Sequence, residues 1–284
     1  MTGAQWAIAG VALLAAAING GLGYGFSSVT VPAALLVYGA RLLNPALVLV
    51  EVVINAVALV VNRNSLRAVW PRMPALLIGI APGVVVGSVL LARVDPGLLK
   101  LLTFAVLLPL LLLQSAGMRK PIRNEKAVAL PGGFALGVLY GATTISGPPL
   151  ALFFNNQGLS KTEFRAALSI FRLAESACTV AAYLALGMFT GPSLALTARF
   201  APSVLLGVPL GYLALRRVAP EPFRRACMTV DALLVGFGLA RTLIERHLVS
   251  QPLAYAGLAV VACVEAAIVL TFVFGRRAAV AEAS

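Results

Sequence analysis

Gly137-Val138-Leu139-Tyr140-Gly141-Ala142-Thr143-Thr144-Ile145-Ser146-Gly147-Pro148-Pro149 sets four hydroxyl side chains and two prolines in the middle of an apolar run. An earlier stretch repeats it. Sliding the sequence back by 116 residues puts Tyr140 on Tyr24, Gly141 on Gly25, Thr143 on Ser27, Thr144 on Ser28, Ser146 on Thr30 and Pro148 on Pro32. Allowing eight extra residues within 153–164 raises the offset to 124. Glu51 then falls on Glu175, Gly83 on Gly207, Gly87 on Gly211, Arg93 on Arg217 and Pro96 on Pro220. The chain reads as a doubled unit.

The solvent of that unit follows from composition. Of 284 residues, 60% are hydrophobic and 11% charged, against about 25% charged in a soluble domain. Apolar segments reach the roughly 20 residues a helix needs to cross a bilayer, whereas barrel strands alternate over about ten. The fold class is therefore an all-α polytopic membrane protein. The net charge of +12 is scattered over short connections, which reads as membrane orientation and not as nucleic-acid binding. Cys178, Cys227 and Cys263 stand far apart in apolar segments, with no CxxC and no His at ligand spacing, so they read as packing residues and no metal or cofactor is expected. The apolar run from Trp6 to Ile18 has no basic leader and is expected to belong to the fold rather than to a cleaved signal.

Two regions, 5–38 and 130–154, are too long for one crossing and are interrupted by glycine, so each reads as two helical arms about a break. Backbone at such a break must be buried in protein or line a watery cavity. Full-length helices are predicted at 46–61, 74–92 and 98–116, again at 164–186, 196–215 and 223–240, and last at 252–274. The predicted organisation is a first membrane repeat over 1–118, a basic cytoplasmic linker over 119–128, a second repeat over 129–243, and a C-terminal helix and tail over 244–284.

Loop charges orient the halves. If each broken region returns to the side it entered, three crossings separate the repeats and invert them. With the linker in the cytoplasm, fifteen basic residues lie inside and Arg41, Arg93, Lys100, Arg199, Arg241 and Arg246 outside, leaving Arg172 within a helix. If the broken regions cross fully, the Arg216–Arg225 loop lands outside with four basic residues, against the rule. The inverted arrangement has seven full crossings, the N-terminus outside and the C-terminus inside.

Inverted repeats with broken helices are the build of secondary transporters. Half-helix N-termini favour anions, and Ser27, Ser28, Thr30, Thr143, Thr144 and Ser146 add hydroxyls beside them. Charges within spans cost roughly 2.5–3.5 kcal/mol each at the bilayer centre, so Glu51, Arg172, Glu175, Asp231 and Glu265 need partners or a cavity. Arg172 and Glu175, three apart on one helix face, can pair directly, and such a pair would neutralise itself or serve the substrate. An arginine suits a bound oxyanion and a glutamate suits proton exchange, so Arg172 is a candidate binding residue and Glu51 and Glu175 are candidates for proton coupling. Tyr24 and Tyr140 are candidate gates. A Ser/His hydrolase and an aspartyl protease both lack parts, since His247 lies in a loop and only Asp231 lies within a helix. No phosphate loop occurs.

The segments 20–32 and 137–149, with the following Gly158-Leu159-Ser160-Lys161-Thr162-Glu163-Phe164-Arg165-Ala166-Ala167-Leu168, resemble the TauE/SafE-type sulfite exporters over most of the chain. The resemblance implies a bacterial inner-membrane secondary carrier for sulfite, sulfonates such as sulfoacetate, or related small organic anions. It also implies that the glycine-rich segments line the path, which adds Gly147 to the substrate-binding residues. Many members carry Thr-Ser in the helix after the first motif, where this chain has Val50-Glu51. The expected function is export of a small anion by alternating access, with a passive anion channel or a carboxylate carrier as alternatives. Its partners are the anion and membrane lipid. The oligomeric state is open, a homodimer included.

Overall fold

A computed structural model describes residues 3–117, 125–155, 158–214 and 220–281. Among the described residues the chain is helical, with no strand. The helices are α1 (Gly3–Leu22), α2 (Phe26–Ala34), α3 (Ala40–Val61), the short α4 (Leu66–Val69) between two 3-10 turns, α5 (Met73–Arg93), α6 (Pro96–Ser115), α7 (Glu125–Thr143), α8 (Gly147–Asn155), α9 (Lys161–Ala185), α10 (Gly191–Ala214), α11 (Pro220–Glu245) and α12 (Gln251–Ala281). Seven helical segments are long and apolar enough to cross a membrane: Ala40–Val61, Arg63–Arg93, Pro96–Ser115, Lys161–Ala185, Gly191–Ala214, Arg225–Glu245 and Gln251–Phe272. The protein is a multi-pass membrane protein. Most of the basic linker, and Arg216 and Arg217, lie outside the described residues.

Both interrupted regions are helix–break–helix. In the first, Gly23 (φ 85°) and Gly25 (φ 111°) reverse the chain in left-handed backbone, which glycine enters without steric cost. In the second, the reversal falls on Thr144 at φ 58°, an outlier for a β-branched residue. The breaks at 23–25 and 144–146 are 121 residues apart, five more than the sequence slide. Tyr24 therefore sits inside the first break, whereas Tyr140 sits on α7 ahead of the second.

The chain forms two compact units, Met1–Lys100 with Arg119–Val218, and Leu101–Met118 with Ala219–Ser284. In the first unit α5 packs along α7 and α1 along α10, while α3 packs on α9 and α10, and α9 on α5. The pattern is unchanged when α1, α2, α3 and α5 are exchanged for α7, α8, α9 and α10. The two long contacts are so close that they exclude side chains. A Cβ on Gly79, Gly83 or Gly87 would stand 2.2–2.3 Å from a carbonyl oxygen of α7, and one on Gly133 2.2 Å from that of Leu76. A Cβ on Gly20 would meet the Val208 carbonyl at 2.1 Å, and one on Gly211 that of Ala17 at 1.8 Å. Small residues every fourth position let helix backbones touch, which compensates for the missing hydrophobic drive in lipid. The contacts advance together along each pair, so both pairs are parallel.

α9 begins with a capping box: Ser160 Oγ accepts from the Glu163 amide at 3.3 Å, and Glu163 Oε2 accepts from the Ser160 amide at 2.9 Å. In the second unit, α11 packs on α12. Glu265 there accepts from Ser115 Oγ at 2.7 Å and Thr229 Oγ1 at 2.8 Å, which ties α6, α11 and α12 together.

Candidate functional site

The site is assembled in the first unit, where the two breaks meet. Gly147, the first residue of α8, stands against the first break: a Cβ there would lie 3.5 Å from Tyr24 Cδ2 and 3.8 Å from the Gly25 nitrogen. Tyr24 is buried and stacks edge-on against Phe164, centroids 6.4 Å apart. Into this region α3 and α9 each present a stripe of polar side chains. On α3 the stripe is Asn44, Glu51 and Asn55; on α9 it is Arg172, Glu175, Ser176, Thr179 and Tyr183. All eight are buried. Their spacing by three, four and seven is that of one helix face.

Glu51 is the hub. Its Oε1 accepts from Ser27 Oγ at 2.5 Å and from Arg172 Nη2 at 2.8 Å, and its Oε2 accepts from the Tyr140 hydroxyl. α2, α3, α7 and α9 are thus joined through one carboxylate. Sequence spacing allows Arg172 to pair with Glu175 one turn along its own helix. Its ion pair is instead with Glu51 across the α3–α9 contact, because the α9 face carrying Arg172 is turned toward α3. Glu175 accepts from Ser146 Oγ at 2.5 Å, and its other oxygen has no hydrogen-bond partner. Ser27–Glu51 and Ser146–Glu175 are therefore two copies of one contact, the first carrying an arginine that the second lacks. The position 124 residues before Arg172 is Val48.

The hydroxyls divide into committed and free. Thr143 Oγ1 donates to the Leu139 carbonyl at 2.6 Å and accepts from the Ile145 amide at 3.1 Å, and Thr144 Oγ1 donates to the Thr143 carbonyl at 2.7 Å. These two stabilise the break itself. Ser28 Oγ and Thr30 Oγ1 on α2, and Thr179 Oγ1 on α9, are buried with no partner, as are Nε and Nη1 of Arg172. Proline at 148 and 149 removes two N–H groups from the start of α8, so α2, opened by Gly25, presents the richer set of amides.

Five members of the cluster, Asn44, Asn55, Ser176, Thr179 and Tyr183, escaped the sequence reading, and three of them hold backbone. Asn44 Nδ2 donates to the Ala142 carbonyl at 2.9 Å, Asn55 Nδ2 to the Arg172 carbonyl at 3.2 Å, and the Tyr183 hydroxyl to the Gly141 carbonyl at 2.8 Å. Each fixes the backbone of a site element. The signal that finds them is their register with Glu51 and Arg172 on otherwise apolar helices. Among the described residues, no group of three or more His, Cys, Asp or Glu could hold a metal ion.

A guanidinium with two idle nitrogens, two carboxylates and free hydroxyls, all buried at a double helix break, can bind and release a small oxyanion. No curated protein and no solved structure matches the chain. A family model described as "Sulfite exporter TauE/SafE" matches residues 8–239, nearly the whole of the first unit together with most of α11. The chain therefore belongs to the sulfite exporter TauE/SafE family, a family of membrane transporters and not of enzymes.

Proposed function

We propose that this protein is a secondary carrier that exports a small oxyanion, sulfite or an organosulfonate such as sulfoacetate, across the bacterial inner membrane. The single observation that carries the reading is Arg172: it is 1% exposed, fixed by Glu51 through one nitrogen, and has two further nitrogens with no partner. A buried donor without an acceptor costs about 1–3 kcal/mol, more when charged, and an oxyanion supplies the acceptor. Ser28 and Thr30 bind alongside it, Tyr140 and Tyr24 bound the site, and Ser146 and Gly147 form its far wall. Thr143 and Thr144 set the shape of that wall and Ser27 holds Glu51.

The residues 1–118 and 129–243 act as inverted repeats, with N-terminus outside and C-terminus in the cytoplasm. The exchange pattern in the helix packing and the loop charges support this. Each repeat's first helix is locked by glycines to the other repeat's third long helix, so the bodies that move in alternating access are the interlocked pairs α1–α10 and α5–α7, not the repeats as blocks. Glu175, one of whose oxygens has no hydrogen-bond partner, takes up the proton that offsets the charge of the arriving anion.

Counterflow in proteoliposomes tests the carrier reading. Unlabelled sulfite or sulfoacetate inside the vesicles should speed entry of the labelled anion several-fold, whereas flux indifferent to the opposite side identifies a channel.

A further inference from the structure

A pocket of about 290 Å³ opens among α1, α3, α9 and α10 in the first unit. Its walls include Ile54, Val57 and Ala58 of α3 and Val208 of α10, and its polar lining includes Asn19 of α1 and Arg165 of α9. Arg165 lies along the last turn of α1, with Nη2 donating to the Gly21 carbonyl and Cγ 3.5 Å from where a Cβ on Gly23 would stand. Asn19 is 4% exposed and its Nδ2 has no partner. The pocket therefore offers one cation and one idle amide donor against a hydrocarbon wall, which is the complement of an oxyanion carrying an apolar body.

Size and position narrow the ligand. Water occupies about 30 Å³ per molecule in the liquid, so this space accommodates about ten non-hydrogen atoms, well beyond the four of sulfite. Ile54 in the pocket wall is one residue short of a turn from Glu51. Arg165 and Arg172 are seven residues apart, on one face of α9, about 10 Å along its axis. The repeat mate of Arg165, Arg41, is engaged differently, with Nε on the Leu91 carbonyl at 3.0 Å and Nη2 on that of Val94 at 2.9 Å.

We propose that the pocket is a second anion subsite, in which Arg165 and Asn19 hold the head and α3 and α10 the apolar body of a soluble organic sulfonate or carboxylate, one step short of Arg172. The inference rests on the transport reading and extends it: the substrate class is organic anions with a hydrocarbon portion, and α9 carries a two-arginine relay.

The test uses the full-length protein in nanodiscs of zwitterionic lipid, titrated calorimetrically with sulfite, methanesulfonate, butanesulfonate and hexanesulfonate. Affinity should rise at least tenfold from methane- to hexanesulfonate, because each buried methylene adds to binding. Arg165→Gln and Ala58→Phe should each flatten that trend while changing methanesulfonate affinity less than threefold. If either variant melts early, a cysteine at Val61, an exposed lining position, replaces it: hexanesulfonate but not sulfite should slow its alkylation. Equal affinity along the series, or a trend that survives both substitutions, overturns the subsite and leaves the transport reading standing. Failure of every anion to bind overturns both. Loss of hexanesulfonate binding when anionic phospholipid is added to the nanodisc assigns the pocket to a lipid headgroup and overturns the proposal.

Discussion

Glu51→Gln is the perturbation whose size the structure fixes best. Gln keeps the shape and one carbonyl oxygen but removes the charge that Arg172, Ser27 and Tyr140 share. Removing one partner of a buried ion pair costs about 3–5 kcal/mol, because the other charge is left uncompensated. The retained carbonyl still accepts a hydroxyl, which places the expectation near the lower end, about 3 kcal/mol. Arg172→Gln should cost a similar amount, since a carboxylate then remains with only two hydroxyl donors. The double change to Gln leaves neither member of the ion pair behind and should cost about half the sum, with a coupling of about 3 kcal/mol. Reversible unfolding in mixed micelles, followed by circular dichroism, measures all three. Single changes within about 0.5 kcal/mol of wild type, or a double change equal to their sum, would refute the hub at Glu51 and the pairing of Arg172.

Three further outcomes follow from the same physics. Gly83→Ala places a Cβ 2.2 Å from the Phe134 carbonyl, whereas Gly10→Ala on α1 meets nothing within 4 Å; melting should fall by an amount equivalent to about 1–3 kcal/mol for the first and stay unchanged or rise for the second. Asp231 on α11 is fully buried and neither carboxylate oxygen has a partner, so Asp231→Asn should raise unfolding stability by about 1 kcal/mol or more; lost transport at unchanged stability would instead give Asp231 a part in the cycle. In a background without the three native cysteines, a probe at Leu248 should react with an external impermeant thiol reagent and one at Asn64 should not. Equal reaction of both contradicts the inverted topology.

The helices and their interruptions were legible because apolar length and glycine or proline breakers act locally. The predicted spans at 46–61, 74–92 and 98–116 fall within or within a residue of α3, α5 and α6. Glu51, Arg172 and Glu175 were legible because a charge in an apolar span is costly wherever it points. Their partners were not. An i, i+3 pairing of Arg172 with Glu175 is the only one that sequence spacing can suggest, while the choice of Glu51 depends on how α3 and α9 are rotated against each other. The matched hydroxyls misled in a similar way: similarity in sequence fixed a slide of 116, but Gly23 and Gly25 turn the chain at a different point from Thr144. Ser27 and Ser146, not a matched pair in sequence, are thereby the two that reach a glutamate. The glycines of α5 and α7 stand four apart in both helices, yet which helix each approaches is a property of the packed fold.

The central claim is that the idle nitrogens of Arg172 hold the transported anion. Equilibrium binding of labelled sulfite and sulfoacetate to purified wild-type protein and to the Glu51→Gln/Arg172→Gln variant tests it most directly, because the double change removes the guanidinium without stranding a charge. Loss of one or two charge-assisted hydrogen bonds, about 1.5–3 kcal/mol each, predicts an affinity at least tenfold to a hundredfold weaker in a variant that keeps the wild-type circular dichroism spectrum at the assay temperature. Wild-type affinity in that variant would place the anion elsewhere and reduce Arg172 to the counter-charge of Glu51.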